Sequence, residues 1–430
     1  MSRSTDEAKT RCVSLASDLA THLAARPGQT LDDVLAVNPA RRTWLKSGLG
    51  AAALSVFGVH ALAAGSDAGN PAGTGATGAG ASAQPPVGGL DPAKDYTIRF
   101  QSVPRSTADQ VMVPPGYQVQ VLFSVGDAVE PGSTAWTEGV FPAADVSGKR
   151  AGGDHDGMHF FALPGVDPQK GGLLAINHEQ VDMRVFFAEE TFEKNAFDEK
   201  QATPDQKRTA LSAVGVSVIE IEFADNAWRV KRDSPYNRRY TGNSAYAVGG
   251  PARERVGATV TGTLNNCSSG ATPWGTYLTC EEVTFNYFDS SQAKAGYGWV
   301  VELDPQGKIL DQGTKRTAMG RFNHENVAWL ADDARRVAFY MGDDNTPGCI
   351  YKFVPDRAYD PVDRRANLGL LDEGTLYVAR FNPSGEGKWI PLKHGNAGLA
   401  ATDGYASQAD VLVECQKAAV SAGGTLMDRP

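Results

Sequence analysis

Short apolar runs that end on acidic residues recur along this chain. Gly172-Leu-Leu-Ala-Ile-Asn-His-Glu179, Trp274-Gly-Thr-Tyr-Leu-Thr-Cys-Glu-Glu282 and Val337-Ala-Phe-Tyr-Met-Gly-Asp-Asp344 all read as strands that deliver carboxylates at their ends. Carboxylates are rarely buried unless paired or bound to metal, so their recurrence at strand ends predicts one shared metal site.

The body of the chain is predicted to be all-β. Its 430 residues include 47 Gly and 24 Pro, with turn signals throughout. Strands are predicted over residues 118–123, 158–163, 172–177, 214–223, 258–264, 274–279, 298–303, 327–330, 337–341, 349–353, 375–381 and 388–392. Helices are predicted from Arg184 to Lys194 and within residues 402–419. Val327 to Asp344 reads as strand, Asp-rich turn and strand, with further strands at Cys349 and Gly374. Modules of this kind stack radially in a β-propeller, which is favoured over a sandwich although no strict repeat signature is present.

The N-terminus carries an address. Arg41-Arg42-Thr43-Trp44-Leu45-Lys46 precedes a weakly apolar stretch, Ser47 to Ala64, that ends in Ala61-Leu62-Ala63. This reads as a twin-arginine export signal. Residues 1–64 are therefore assigned to leader and signal, 65–89 to a Gly/Ala/Ser/Pro linker, and 90–430 to the folded body. Recognition by the twin-arginine export machinery and a periplasmic or secreted location follow, with a monomer expected. The net charge of −9 argues against a nucleic-acid partner. Of the five cysteines, Cys12 would leave with the leader, while Cys267, Cys280, Cys349 and Cys415 stay. A Cys267–Cys280 disulfide and a metal-ligand role for at least one of the two remain open alternatives.

Strand alternation limits which candidates can converge. Asp154 pairs with Asp156, Asn177 with Glu179, Cys280 with Glu282, and Arg321 with Asn323 and Glu325. Alternation relaxes at strand ends, so Glu281, His155 and His178 stay in play. Carboxylate and amide oxygens suit Ca²⁺, and a thiolate or Glu suits a transition metal. Arg321 on a ligand face is what a phosphate-binding metal site needs. Asp343-Asp344 before Asn345-Thr346-Pro347-Gly348 reads equally well as an ordinary turn. The chain has no Gly-x-Ser-x-Gly elbow, His-Glu-x-x-His pair, Walker loop or dinucleotide fingerprint in a strand–helix context.

Together these motifs resemble the PhoX-type alkaline phosphatases. The resemblance rests on Gly153-Asp-His-Asp-Gly-Met-His-Phe-Phe161, Leu174-Ala-Ile-Asn-His-Glu179, Asn265-Asn-Cys through Thr-Cys-Glu-Glu282, Met319-Gly-Arg-Phe-Asn-His-Glu325, and Tyr340-Met-Gly-Asp-Asp344 with Ile350-Tyr-Lys-Phe-Val354. It implies a β-propeller, six-bladed in the family, holding Ca²⁺ and Fe³⁺ and hydrolysing small phosphate monoesters outside the cytoplasm. It implies Glu179, Glu282 and Glu325 as metal ligands. Asp154, Asp156, Asp343 and Asp344 are further candidates, and Arg321 and Lys352 would face the phosphate. The chain departs from the pattern at Gln180-Val181 and at Val283. Thr425-Leu-Met-Asp-Arg-Pro430 looks like the start of the family's Met-Asp-Arg-Pro-Glu motif, so the propeller is expected to be incomplete at its C-terminus. A non-catalytic metal-binding propeller and a calcium-dependent lactonase are the alternative functions.

Overall fold

The computed structural model describes residues 101–430. The export signal, the linker, Cys12 and the expected start of the body at Leu90 lie outside the described residues.

Among the described residues sixteen strands fall into three sheets, with few and short helices. The first sheet contains β1 (His155–Phe161), β2 (Gly171–His178), β3 (Gly215–Ala224) and β4 (Ala227–Val230), joined in that order, with β5 (Arg238–Thr241) also paired to β3. The second sheet contains β6 (Ala245–Gly249), β7 (Thr259–Thr261), β8 (Asn266–Ala271), β9 (Tyr277–Glu281), β10 (Val300–Leu303) and β11 (Thr314–Arg316). Its spatial order is β7-β6-β11-β10-β9-β8, and its β6–β11 pair is parallel. The third sheet is an antiparallel meander of β12 (His324–Ala331), β13 (Val337–Asp343), β14 (Ile350–Pro355), β15 (Gly374–Phe381) and β16 (Gly387–Pro391).

The sheets meet through edge strands, β8 lying against β1 on one side and β12 on the other. Two glycines permit this approach. A Cβ on Gly157 would sit 2.6 Å from the Ser268 carbonyl carbon, and one on Gly270 would collide with the Val327 carbonyl oxygen. Only a residue without a side chain lets backbones pass so closely.

Burial follows from the strand period. β13 alternates buried and half-buried residues along its length, as a strand with one face in a core must. β2 is buried on both faces, with Leu173 and Ala175 packing towards the second sheet and Ile176 packing with Ile219 and Ile221 on the other side. The largest core joins the second and third sheets through Trp274, Trp299, Phe322, Phe339, Tyr351 and Phe353. Two helices close its end, Gln408–Val413 and Cys415–Ser421, the first capped by the Ser407 hydroxyl, which accepts from the Asp410 N–H.

Most predicted strands are present, and the differences have local causes. Residues 118–123 form no strand; the Gln120 side chain instead brackets Trp228, accepting from its N–H at 3.0 Å. The segment 258–264 contributes only Thr259–Thr261, and the helix expected from Arg184 shrinks to Met183–Phe186. β8 was not anticipated because Asn266-Cys-Ser-Ser-Gly-Ala271 lacks alternation, and β11 because its short run carries buried Lys315 and Arg316. Tertiary pairing overrides weak strand propensity in both.

Replacing Phe339 by Ala is expected to lower the unfolding free energy by about 3–5 kcal/mol, because the fully buried ring joins two sheets. Urea denaturation of the variant against the parent checks this.

Candidate metal centre

The same construction appears once in each sheet, where the edge strand β1, β8 or β12 meets its neighbour β2, β9 or β13. His155 pairs with His178, Asn266 with Glu281, and His324 with Asp343, and each pair is followed by a bulge in the first strand. The residue after each pair then donates its N–H back across the strands: Glu179 to the Asp154 carbonyl at 3.1 Å, Glu282 to Asn265 at 3.0 Å, and Asp344 to Asn323 at 3.0 Å. Each sheet thus presents one residue before the pair (Asp154, Asn265, Asn323), one at the bulge (Asp156, Cys267, Glu325) and one at the end of the second strand (Glu179, Glu282, Asp344). A bulge re-aims a side chain out of the regular alternation. Meeting edge strands bring the three sets to one end of the sheets.

The side chains form a chain of contacts. Asp156, Glu179 and Cys267 place donor atoms within 4.8 Å of one another, a spacing that one ion can bridge. The Cys267 thiol donates to Asp156 Oδ2 at 3.1 Å. Asn265 Nδ2 lies 3.0 Å from Glu179 Oε1 and 3.4 Å from Glu282 Oε2, tying the first set to the second. Glu282 meets Asp344, whose two oxygens are gripped by the forked guanidinium of Arg429. Arg429 also acts electrostatically on Glu282 and Glu325. The Tyr287 hydroxyl points at Asn265 Oδ1 from 3.4 Å.

Electrostatics show what this assembly lacks. Burial and then contact with Asp344 push the Glu282 carboxyl up to about 8, while Arg429 holds Asp344 down at about 2. Burial raises Glu179 too, with Asp156 and Asp154 adding to it. Burial, then the Asp156 hydrogen bond, pushes the Cys267 thiol far up. Acidic groups this close cannot all ionise unless cations join them. The donor set fits metal ions: its carboxylate and amide oxygens suit Ca²⁺, and a thiolate beside carboxylates suits iron.

Several residues predicted for the site lie elsewhere or have other work. Arg321 does not reach the carboxylates. Its guanidinium donates to the carbonyls of Tyr297 at 2.8 Å, Lys294 at 3.0 Å, Val413 at 3.4 Å and Thr284, leaving little for a phosphate. Lys352 faces aromatic rings, its ammonium 4.7 Å from the Trp389 centroid and 5.0 Å from that of Tyr377. Cys280 is fully buried in the large core. Glu281 is fully buried as well, accepting from Lys315 Nζ at 2.6 Å and from the N–H groups of Gly298 and Trp299 at 3.0 Å each. Asn177 spends its amide on the neighbouring sheet. Asp343 accepts from Gln416, and Asp154 is exposed beside Glu179, its φ of 40° turning the chain into β1. Cys267 and Cys280 form no disulfide, because Cys267 turns to Asp156 at the bulge while Cys280 packs into the core.

Sequence reasoning missed Cys267 as a specific ligand candidate, together with Asn265 and Arg429. A signal was there: Asp154-His-Asp-Gly157, Asn265-Asn-Cys-Ser268 and Asn323-His-Glu-Asn326 align as one motif read three times. The repeat is too short and too varied to stand out before the strand pairing is known.

A family model described as Alkaline phosphatase PhoX matches residues 98–430. Among solved structures, Pseudomonas fluorescens PhoX in complex with vanadate, a transition state analogue, matches with a TM-score of 0.69 and 34% identity, covering 77% of this chain and 64% of that one. The chain therefore spans less than two thirds of the length of that neighbour. No curated protein matches it.

The Lys315–Glu281 pair beneath the centre has a testable consequence, since both side chains are fully enclosed. Lys315→Met is expected to cost about 3–5 kcal/mol by leaving a buried carboxylate without its cation, and adding Glu281→Gln should restore part of that loss. Chemical denaturation of the single and double variants measures both.

Proposed function

Because this chain belongs to the PhoX family of alkaline phosphatases, we propose that it hydrolyses small phosphate monoesters at the carboxylate–thiol centre with Ca²⁺ and Fe³⁺ bound. The observation that carries this reading is the forked grip of Arg429 on Asp344, beside Glu282, at the edge of a donor set that fits metal ions. An anion-binding cation and metal ligands in one place are what phosphoryl transfer requires.

Asp156, Glu179 and Cys267 would hold one ion, with Glu282, Glu325 and Asp344 completing the set. Bound metal supplies Lewis acidity and an activated water. The protein's own groups do the rest. Arg429 is 64% exposed along its side chain, so it can offer its remaining N–H donors, on Nη1 and Nη2, to a phosphate while Nε and Nη2 hold it on Asp344. The Asn265 amide spaces Glu179 and Glu282. Burial keeps the Tyr287 hydroxyl protonated, ready to donate a hydrogen bond towards an oxygen that builds charge. Meeting edge strands and the resemblance to a solved PhoX support reading the three sheets as blades of a β-propeller. The twin-arginine motif at Arg41-Arg42 supports export to the periplasm or medium.

The deciding assay is p-nitrophenyl phosphate hydrolysis with added Ca²⁺, before and after a chelator. Turnover that the chelator abolishes and metal restores is expected; metal binding without turnover would favour a non-catalytic module. Arg429→Lys keeps the charge but loses the fork, and is expected to lower kcat/KM by roughly 10- to 100-fold. An unchanged kcat/KM would remove Arg429 from the phosphate site.

A further inference from the structure

The bulge that turns Cys267 towards Asp156 and Glu179 has a cost in hydrogen bonds. Between Asn266 and Ser269 the register of β8 on β9 slips, so Cys267 and Ser268 fall outside the regular ladder. Buried backbone carbonyls need partners. Theirs come from another sheet: the Asn177 amide on β2 donates one N–H to the Cys267 carbonyl at 2.6 Å and the other to Ser268 at 2.9 Å.

The opposite end of the same amide is equally engaged. Asn177 Oδ1 accepts from Thr279 Oγ1 at 2.8 Å and lies 2.8 Å from the Tyr277 hydroxyl. Thr279 Oγ1 in turn accepts from Asn266 Nδ2 at 2.9 Å, and the Tyr277 hydroxyl sits 2.9 Å from the Gly157 carbonyl. Asn177 is wholly buried, its two N–H donors are both used, and its oxygen accepts from Thr279 while the single Tyr277 proton is shared between that oxygen and the Gly157 carbonyl. The network therefore holds the bulges that carry Asp156 and Cys267 at a set distance, from a residue two positions before Glu179.

We propose that Asn177 is a positioning residue for the metal centre, clamping the β8 bulge so that the Cys267 sulfur meets the same ion as Asp156 and Glu179. The proposal rests on the metal reading above. Groups that hold metal ligands in place are worth about 10- to 100-fold in metal affinity. The amide suits the task because its flat NH₂ reaches two adjacent carbonyls, which neither a carboxylate nor a hydroxyl can do.

The test uses the full chain, stripped with a chelator and titrated with Co²⁺, whose thiolate charge-transfer band reports sulfur ligation. The parent should bind Co²⁺ with this band, and Cys267→Ser should lack it. Asn177→Asp keeps the shape but turns a carboxylate on the two carbonyls; Asn177→Ser leaves room for water and serves if the first variant folds poorly. Both are expected to bind Co²⁺ roughly 10- to 100-fold more weakly, with the band lost or shifted. Phe339→Ala, which destabilises the core without touching the clamp, should retain the band, separating positioning from stability. Parent-like affinity and band in either folded Asn177 variant would overturn the proposal. A parent without any thiolate band would overturn it too, yet phosphatase turnover by that parent would leave the enzymatic reading standing. A band without turnover would do the reverse.

Discussion

At one end of β1, β8 and β12 an edge strand of each sheet carries an extra residue against its partner. That insertion breaks the two-residue alternation where a polar side chain must leave the sheet plane. Without it, Asp156, Cys267 and Glu325 would follow the period of their strands and point into the cores or away from one another. With it, three strand pairs offer their donors to one place. The glycines at 157 and 270 are part of the same arrangement, since bulged strands can converge only if their backbones nearly touch.

Converging backbones and carboxylates raise two physical problems, and the structure answers each with buried polar groups. Carbonyls freed by the β8 bulge are taken up by Asn177. Charge at the strand ends is divided: Glu281 turns inward to a fully buried lysine, while its neighbour Glu282 turns outward to the centre. Adjacent carboxylates thus take opposite roles because strand alternation sends them to opposite faces. Arg316 does similar work, joining Glu302 to Asp372 where both the guanidinium and Glu302 are buried.

Arginines show why residue type alone misleads. Arg321 sits two residues from Asn323 and four from Glu325, the spacing expected of a phosphate-facing cation, yet its donors end on four main-chain carbonyls. Arg429 is distant in sequence from every carboxylate it meets and arrives by the fold of the final segment, where Met427 pairs with Gly348. A guanidinium is recognised by where its donors end, and that is a long-range property.

Period-two patterning in residues 337–341, 349–353 and 375–381 was legible in the sequence, because a strand with one face in a core alternates, and 172–177 was legible as the compact apolar run of a strand buried on both faces. The acidic strand ends were legible for the same reason, as were Glu179, Glu282 and Asp344 as neighbours of apolar runs. Family membership followed from motifs long enough to be specific. Tertiary structure alone decided which donors meet. It placed Cys267 at a bulge and Cys280 in a core, sent Glu281 to Lys315, and brought Arg429 to Asp344. Those choices depend on strand register and on contacts between sheets, which link residues far apart in the chain and leave no local periodicity to read.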